Sequence, residues 1–455
     1  MNPEIFKAYD IRGIYPTELD EQGTYKIAKA FIHLLKQENP EKKLKIVVAR
    51  DMRLSSPSLK EQVIKAVTNM GVDVIDIDLA SSPTFYFTVA KNNYDGGLII
   101  SASHNPKEYN GIKIVRARAI PIGLINGLDK IRDLTEQEIK ESEIKGTITK
   151  EQNALEQRTQ YALNFYNFEK IKPLKVVIDT ANAMGAPDFE ELFKHIPCQL
   201  IKMNFPLDGT FPAHQADPFK EENVIDIKKR VIQEQADLGI ALDGDADRIF
   251  FIDNKGEFVE PGIIRGILSK EVLKHKPNSR ICYDIRPGMI TKDMIIENGG
   301  TASITKVGHT LIKLQSIEEG AEFAGESSGH FFFKTDYGFY ETPLIVALII
   351  LKEISETNKT LSEITTPLKK YFHSSEINSI VKDKEAVMNR IEQHFKESAK
   401  SISHLDGISI EHEDYWFNVR PSNTESLLRL NLEARTKEIM EQKRDEVLKI
   451  IQQPL

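Results

Sequence analysis

The sequence has few cysteines, no long apolar run and no excess of positive charge. The 455 residues include only Cys198 and Cys282, so neither a disulfide framework nor a zinc-knuckle spacing can form. The longest apolar run, 344–351, is far shorter than the ~20 residues that cross a bilayer. The 60 Lys and Arg residues are outnumbered by 68 Asp and Glu, which disfavours a nucleic-acid partner. We therefore expect a protein of a reducing compartment that binds neither membrane nor nucleic acid.

Sequence motifs that mark several common protein classes are also missing. None of G-x-x-x-x-G-K-[ST], G-x-G-x-x-G and H-E-x-x-H occurs, which leaves ATP-loop, dinucleotide-binding and zincin functions without support. No basic or apolar segment typical of a secretion signal opens the chain, so we expect a cytoplasmic location. The segment GESSG at 325–329 matches the nucleophile elbow of α/β-hydrolases. That elbow must open into a helix, whereas HFFF at 330–333 predicts a strand, so a hydrolase is disfavoured.

Strands and helices alternate along most of the chain. Short β-branched apolar runs predict buried strands, and segments with apolar residues three or four positions apart predict helices between them. The predicted strands are 45–49, 72–77, 97–100, 175–178, 199–201, 238–242, 281–283, 302–304 and 322–324. This alternation is typical of parallel sheets with right-handed crossovers. The tail differs, because 408–410, 415–419 and 426–432 predict antiparallel strands before a last helix.

We predict an α/β fold of four domains. Three related α/β domains with mixed, mostly parallel sheets cover residues 1–150, 151–255 and 256–369, and a smaller α+β domain covers 370–455. The first joint is placed in the segment 134–153, which is polar and charge-dense and therefore predicts an exposed linker.

Polar loops follow the last predicted strand of each α/β domain, and one more lies in the tail. Ligands of open parallel sheets bind beyond the carboxyl ends of the strands, so these loops are candidates for a functional site. They are SASHNP at 101–106, DGDADR at 243–248, GESSGH at 325–330 and RPSNTE at 420–425.

The second of these loops predicts a metal site. Asp243, Asp245 and Asp247 alternate across a tight turn, and three carboxylates at this spacing can converge on one hard divalent cation. The loop is not an EF-hand, because Arg248 stands where glycine is required and Asn254 where a bidentate glutamate is required. Three charged ligands without a further protein cage favour Mg²⁺ bound together with a phosphate oxygen. The alternative is a solvated acidic turn.

The other three loops offer a hydroxyl, sugar contacts and an anion site. Ser103 could be a nucleophile or phosphoryl carrier, although a serine here can also cap its own turn, and His104 can be structural. Glu326 and Ser328 suit the vicinal hydroxyls of a sugar. The tail loop is either an ordinary hairpin turn or an anion nest. Its donors are Arg420, Ser422, Asn423, Thr424 and Arg429.

Taken together, these loops resemble those of the α-D-phosphohexomutases, specifically the phosphomannomutase/phosphoglucomutase group. In order, they are similar to the family's phosphoserine, metal, sugar-recognition and phosphate-binding loops, and the match spans nearly the whole chain. YDIRG at 9–13, YNGIK at 109–113 and VGHT at 307–310 agree as well. The resemblance implies that all four domains line one central cleft. Two departures are Ser426, where the family usually has Pro, and Arg286, where relatives often have Lys.

The resemblance also implies an activity and residue roles. The activity is interconversion of hexose 1-phosphate and hexose 6-phosphate, on mannose or glucose, through a phosphorylated Ser103 and a hexose 1,6-bisphosphate intermediate and activator. One Mg²⁺ per chain would be bound by the three aspartates and phosphorylated Ser103. Arg12 and Lys113 would stabilise the transferring group, with one of them or His104 moving the proton. The implied substrate-binding residues are Tyr9, Arg248, Arg286, Gly308, His309, Glu326, Ser328, His330, Arg420, Ser422, Asn423, Thr424 and Arg429.

Several alternatives remain open at the level of the sequence. Phosphoglucosamine mutase is the nearest one, although glucosamine mutases tend to have Gly where this chain has Asn423. A metal-dependent phosphatase would use the same serine and aspartates, and a non-catalytic protein would only bind sugar phosphates. Mannose and glucose differ only at C2, so the preferred sugar stays open, as does the choice between monomer and homodimer.

Overall fold

The computed structural model describes residues 1–421 and 427–453. The chain forms two compact units, one of Met1–Val259 with Ser328–Ser362 and one of Glu260–Ser327 with Glu363–Leu455. Within the described part of the chain, every helix is too short or too polar to cross a membrane.

The first sheet has six strands. Its strands and the helices around them are β1 Ile11–Ile14, α1 Glu21–Glu38, β2 Lys45–Arg50, α2 Ser56–Asn69, β3 Asp73–Leu79, α3 Ser82–Lys91, β4 Gly96–Ile100, β5 Tyr109–Arg116, α4 Leu128–Leu134 and β6 Ile148–Lys150. The strand order is β1-β5-β4-β2-β3-β6, with β1 and β5 antiparallel to their neighbours and the other pairs parallel. The prediction of a linker at 134–153 was wrong in part, because β6 lies within it and pairs with β3.

The second sheet has five strands in the order β11-β10-β9-β7-β8. Its elements are α5 Ala154–Phe165, β7 Lys175–Asp179, α6 Gly185–Phe193, β8 Gln199–Met203, α7 Ile225–Gln233, β9 Leu238–Leu242, β10 Ile249–Asp253 and β11 Phe258–Val259. Strands β8, β7 and β9 are parallel, and β10 returns antiparallel to β9. The metal-loop segment 243–248 therefore joins two adjacent antiparallel strands.

The next elements again alternate. They are α8 Pro261–His275, β12 Arg280–Asp284, α9 Met289–Glu297, β13 Thr301–Thr305, α10 His309–Glu318, β14 Phe323–Gly325, β15 Phe331–Lys334, β16 Phe339–Glu341, α11 Pro343–Thr357 and α12 Leu361–Thr365. Strand β12 lies parallel between β13 and β14, whereas β15 and β16 form an antiparallel pair. The apolar run 344–351 lies in α11 and is buried throughout.

The C-terminal sheet is antiparallel. Its elements are β17 Phe372–His373, β18 Ile377–Ile380, α13 Lys384–Phe395, β19 Ser401–Ser403, β20 Ile408–Glu411, β21 Tyr415–Pro421, β22 Leu427–Ala434 and α14 Lys437–Gln452. Strand β22 pairs with β17, β18 and β21, and the predicted last helix, α14, places Met440, Val447 and Ile451 in the core. The predicted fold class, three α/β domains with mixed sheets and a smaller C-terminal domain, is confirmed, whereas its domain boundaries stay a prediction.

Strands β4 and β9 position the first two candidate loops. Every residue of both strands is buried, which explains why each appears in the sequence as a continuous apolar run instead of an alternating one. Loop 101–108 begins at the carboxyl end of β4 and loop 243–248 at the carboxyl end of β9, as expected for sites of α/β sheets.

Candidate active site

Ser103 is buried and held in an uncommon backbone conformation. Its φ is +49°, in the left-handed region, and only 1% of its surface is exposed. The Oγ donates to Asp243 Oδ2 at 2.8 Å and lies 3.2 Å from His104 Nδ1. The N–H of Ser103 donates to Ser101 Oγ at 3.0 Å. These contacts place the serine hydroxyl against the first aspartate of the metal loop.

The three aspartates of loop 243–248 converge. Asp243, Asp245 and Asp247 are each at most 1% exposed, and they offer ligand atoms that lie within 4.8 Å of one another. Asp245 Oδ1 is buried without a hydrogen-bond partner among residues 1–421 and 427–453. A buried carboxylate oxygen beside two further carboxylates fits a hard divalent cation, which prefers oxygen ligands. The residues present therefore fit the metal that the sequence predicts.

Lys113 and Ser82 occupy the other oxygen of Asp245. The Lys113 ammonium contacts Asp245 Oδ2 and lies 2.6 Å from Asp247 Oδ2. The Ser82 hydroxyl also donates to Asp245 Oδ2, and the Ser82 N–H donates to the Asp245 carbonyl at 3.0 Å. With Oδ2 bound in this way, Oδ1 is the oxygen of Asp245 that remains for a cation. Helix α3, which begins at Ser82, thus orients the metal loop.

The triad places more negative than positive charge in a buried volume. Burial, together with the charges of Asp247 and Asp245, raises the pKa of Asp243 to about 8. Burial opposes ionisation of Asp247 as well, but Lys113 and His330 hold the pKa of Asp247 well below its usual range. Burial would lower the pKa of Lys113, yet the two aspartates raise it well above its ordinary value. A divalent cation among the three carboxylates would offset the repulsion from Asp245 and Asp247 that helps to raise the pKa of Asp243.

His104 lies beside Ser103 in its neutral form. The positive charge of Arg248 is the main cause that lowers the pKa of His104 well below its usual value, followed by burial and by Arg12. A neutral imidazole has one ring nitrogen able to accept a proton. His104 Nδ1, at 3.2 Å from Ser103 Oγ, is therefore placed to exchange a proton there.

Arg12 lies against the Ser103 loop. Its Nε and Nη2 donate to Asp10 Oδ2 at 2.9 and 2.8 Å, and its Nη1 donates to the Ala102 carbonyl at 3.1 Å and to the Asn105 side chain. Tyr9, in the same predicted YDIRG segment, is half-buried. The first strand therefore brings a guanidinium to the loop, as the sequence predicts for Arg12.

Arg248 and His330 border the aspartates. The Arg248 N–H donates to Asp243 Oδ1 at 3.1 Å, and Arg248 Nε lies 3.3 Å from His330 Nε2. His330 Nε2 is also 3.2 Å from Asp247 Oδ1, and His330 Nδ1 is 3.0 Å from Ser328 Oγ. A bridge between the backbones of Arg248 and His330 holds the two segments side by side. These three predicted residues therefore lie together with the metal loop.

A second group of predicted residues lies in the other unit. Glu326 is 1% exposed, and its carboxylate accepts from the Gly308 N–H at 2.9 Å. Arg286 is paired with Asp284 at 2.5 Å and lies 3.9 Å from Glu326. His309 is the first residue of α10 and is half-buried. Glu326, Gly308 and Arg286 are thus neighbours, as a shared substrate-binding role requires.

The predicted phosphate-binding residues are described in part. Ser422, Asn423 and Thr424 lie outside the described residues. Arg420 is 9% exposed, and its Nη2 donates to Glu376 Oε2 at 2.7 Å. Arg429 Nη1 lies 3.4 Å from the other oxygen of the same carboxylate. Two strands therefore bring two guanidiniums to one glutamate, at the loop that the sequence predicts to bind phosphate.

Sequence reasoning missed four residues that support these loops. Arg53 contacts the Ser103 loop, Ser82 contacts Asp245, Arg265 contacts Asp284 and Ser327, and Glu376 joins the two arginines. Arg53 and Ser82 lie three residues beyond the ends of β2 and β3, where polar residues after a predicted strand are a signal of a site in an α/β sheet. Arg265 lies inside a helix, and Glu376 lies before a short strand, so no comparable signal marked them.

Comparison with known protein families accounts for most of the chain. The phosphoglucomutase/phosphomannomutase alpha/beta/alpha domains I, II and III match residues 3–142, 155–256 and 261–371, and the C-terminal domain matches residues 376–450. A phosphomannomutase of Methanocaldococcus jannaschii is 40% identical over 450 residues, which cover 98% of this chain and 97% of the relative. A phosphomannomutase of Escherichia coli K12 is 36% identical over 438 residues, 94% of each chain.

Solved structures agree. A phosphoglucomutase/phosphomannomutase family protein from Burkholderia thailandensis has a TM-score of 0.90 at 27% identity, covering 99% of this chain and 97% of that one. An Aspergillus fumigatus N-acetylphosphoglucosamine mutase, solved with GlcNAc-6P and magnesium, has a TM-score of 0.61 at 14% identity, covering 92% and 80%, and supports the fold alone. The chain belongs to the phosphoglucomutase/phosphomannomutase family. It is thus a phosphohexomutase, an isomerase of the intramolecular phosphotransferase type.

Proposed function

We propose that this chain interconverts hexose 1-phosphate and hexose 6-phosphate, with mannose and glucose as its sugars, by means of a phosphoryl group carried on Ser103. The observation that carries the proposal is the contact of the Ser103 hydroxyl, at 2.8 Å, with a carboxylate of a buried three-aspartate cluster. Phosphoryl transfer depends on charge neutralisation and alignment more than on covalent help, and this arrangement supplies both.

The proposed metal is one Mg²⁺ held by Asp243, Asp245 and Asp247, with an oxygen of phosphorylated Ser103 as a further ligand. Bound there, it neutralises negative charge on the transferring group. Lys113 contacts Asp245 and Asp247 and so fixes the orientation of both carboxylates, and its charge lowers the pKa of Asp247.

The transfer itself is a displacement at phosphorus. The bond from phosphorus to Ser103 Oγ breaks, a bond to the free sugar hydroxyl forms, and the hydroxyl proton is passed on so that Ser103 ends as a neutral alcohol. Arg12 and Lys113 are the proposed cations that stabilise the group in transit. His104 is the proposed carrier of the proton at Ser103, because its ring nitrogen lies 3.2 Å from Oγ. The hexose 1,6-bisphosphate formed then returns its other phosphoryl group to Ser103.

The remaining predicted residues bind the substrate in this proposal. Glu326 and Ser328 hold sugar hydroxyls, and Arg286, Gly308 and His309 contribute beside Glu326. Arg248, His330 and Tyr9 contribute beside the reacting phosphate. The phosphate that does not react is bound by Arg420, Arg429 and the loop residues Ser422, Asn423 and Thr424. This phosphate anchor has to accept the sugar in both orientations. It binds the 1-phosphate in one half-reaction and the 6-phosphate in the other.

A mannose or glucose substrate is favoured over glucosamine by the two sequence relatives named above, which are both phosphomannomutases. The deciding experiment compares mannose, glucose and glucosamine 1-phosphates as substrates in parallel, with Mg²⁺ and glucose 1,6-bisphosphate present. We expect 6-phosphate products from mannose and glucose, and little from glucosamine. Release of free phosphate in place of the isomer, without stimulation by the bisphosphate, would identify a phosphatase and refute the proposal.

A further inference from the structure

The Arg53 side chain is fully buried and binds the backbone of the Ser103 loop at four points. Its Nη2 donates to the carbonyls of Ser103 at 2.8 Å and Asn105 at 2.7 Å. Its Nη1 donates to the carbonyls of Pro106 at 2.7 Å and Tyr109 at 3.0 Å. A planar guanidinium fork can serve four carbonyls at once, whereas a lysine ammonium cannot. The loop is therefore wrapped around one side chain that comes from the preceding strand–helix unit.

The charge of Arg53 is balanced away from the loop. Asp51, itself fully buried, lies with Oδ2 at 3.2 Å from Arg53 Nε and accepts from the Arg53 N–H and the Ser56 hydroxyl through Oδ1. Buried ion pairs contribute little net stability, because desolvation offsets the attraction. The buried pair of Asp51 and Arg53 is better explained by a role in fixing the conformation of the Ser103 loop.

A segment of the second domain closes over Arg53. The Phe211 ring lies 5.0 Å from the guanidinium carbon. Gly209 packs so closely that a Cβ there would be 2.7 Å from Arg53 Cα. The Gln215 side chain donates to the His104 carbonyl at 2.8 Å. The Ser103 loop is thereby held by two parts of the chain, Arg53 and the segment 209–215.

The backbone of Ser103 needs this support. Its φ of +49° is unfavourable for a residue with a Cβ, and its carbonyl is pressed against Gly244, where a Cβ would be 2.3 Å away. The hydrogen bond from Arg53 to that carbonyl, with the one from the Ser103 N–H to Ser101, fixes both neighbouring peptide groups. Relaxation of φ would swing Oγ away from Asp243.

We propose that Arg53 is a positioning residue for the phosphoryl carrier: it holds Ser103 in the conformation in which Oγ meets Asp243 and can accept or give up the phosphoryl group. This inference rests on the proposed function of Ser103. Arg53 is fully buried and its guanidinium donates to backbone carbonyls, so we expect its effect at the transfer step, with the three aspartates and the phosphate anchor left unchanged.

The test is Arg53→Lys, which keeps the charge and removes the fork. The rate at which glucose 1,6-bisphosphate phosphorylates Ser103 is followed by intact mass, beside kcat, KM and Mg²⁺ affinity measured by calorimetry. We expect phosphorylation and kcat to fall by about 100-fold, the usual cost of a 1 Å misplacement, with KM and Mg²⁺ affinity changed by less than about threefold. The matched control is Arg116→Lys, which alters an arginine at the far end of β5 that is paired with Glu38 at 2.7 Å. It should leave phosphorylation within about threefold, and the melting temperatures of both variants are measured alongside.

Phosphorylation of Arg53→Lys at the unaltered rate would overturn the inference, and so would an equal loss in both lysine variants, since the role would then be stability alone. If Arg53→Lys does not fold, Phe211→Leu replaces it, with an expected slowing of about 3- to 10-fold from loss of the stacked ring. An unaltered rate in that variant would likewise overturn it. The unaltered chain is measured alongside; if its Ser103 never takes up phosphate, the proposed function itself has failed, and Arg53 has no carrier to position.

Discussion

The serine–aspartate centre, formed by Ser103, Lys113, Asp243, Asp245 and Asp247, can be compared with the C-terminal arginine cluster of Arg420, Arg429 and Glu376. In the centre, three carboxylates face one ammonium, and every member is at most 4% exposed. In the cluster, two guanidiniums face one carboxylate, and the side chains of Glu376 and Arg429 are 28% and 29% exposed.

The two regions therefore have opposite unbalanced charge and different access to solvent. The centre is short of positive charge in a buried place, where a cation interacts strongly with its ligands. The cluster is short of negative charge near the surface, where an anion can enter and leave, and Arg420 Nε has no hydrogen-bond partner in the part of the chain described. The region proposed for chemistry is therefore fixed before substrate arrives, whereas the region proposed for anchoring keeps a donor available for it.

The largest effect is expected from Ser103→Ala, which removes the proposed carrier from the centre. Without an oxygen to phosphorylate, mutase activity should fall by more than about 1,000-fold, the scale for loss of a nucleophile. The measurement is the rate of isomer formation, with circular dichroism to check the fold. Intact mass should show no added phosphate after incubation with glucose 1,6-bisphosphate. Activity close to that of the unaltered chain would remove Ser103 from the mechanism.

Asp245→Asn tests whether the centre is built for a cation. The amide keeps the shape and the contact with Ser82 but removes the charge that balances Lys113 and a metal. Mg²⁺ affinity, measured by calorimetry, should fall by at least about 10- to 100-fold, and activity should need correspondingly more Mg²⁺. Asp253→Asn, at the last residue of β10, is the control and should leave the Mg²⁺ titration unchanged. A titration of Asp245→Asn that matches the unaltered chain would argue against the site.

The sequence predicted the parts of both regions that follow simple strand patterns. Asp243, Asp245 and Asp247 were found because they directly follow an apolar strand, and the spacing of two does bring their carboxylates together. Arg53 and Ser82 were missed because their importance lies in contacts with loops about 50 and 160 residues further along the chain, which periodicity does not encode. Helix α11 was not predicted, since an apolar run that is buried on all sides has no helical period.

Arg420→Ala tests whether the C-terminal arginine cluster binds the phosphate that does not react. Losing a charge-assisted hydrogen bond to phosphate should raise KM by about 10- to 100-fold for the 1-phosphate and the 6-phosphate alike. Mg²⁺ affinity should not change, because the metal ligands belong to the other region. Arg435→Ala, an exposed arginine of the same domain, is the matched control. A KM effect confined to one isomer would contradict a shared anchor.

Glu376→Gln alters the same arginine cluster more conservatively, and we expect a smaller change in KM. Partial desolvation raises the pKa of the Glu376 carboxyl, but Arg420 outweighs it and holds that pKa below the usual range, so the group is ionised. An ionised glutamate competes with a phosphate for the same guanidinium, and glutamine can keep the hydrogen bond without the charge. KM should therefore fall about threefold, with kcat little changed. A higher KM would mean that the carboxylate serves to orient Arg420 instead of competing for it.

The smallest effect is expected at Glu433, a buried carboxylate that contrasts with the aspartates of the centre because it accepts from backbone groups. Its Oε2 accepts from the N–H groups of Gly288 and Met289 at the start of α9, at 2.8 and 3.1 Å. Burial raises the pKa of Glu433 above its ordinary value, so the folded state favours its protonated form. The unaltered chain should therefore lose stability as the pH rises from the unfolded pKa through the folded one.

Glu433→Gln cannot ionise and should escape that loss, while its amide oxygen still accepts from α9. Relative to the unaltered chain, the free energy of unfolding of Glu433→Gln should rise by about 1 kcal/mol or less between pH 4.5 and about pH 7.5. Urea unfolding at the two pH values measures this difference, and groups that titrate equally in both chains cancel. A gap that stays constant with pH would show that the Glu433 carboxylate titrates alike in the folded and unfolded chains, and that helix α9 tolerates its charge as well as water does.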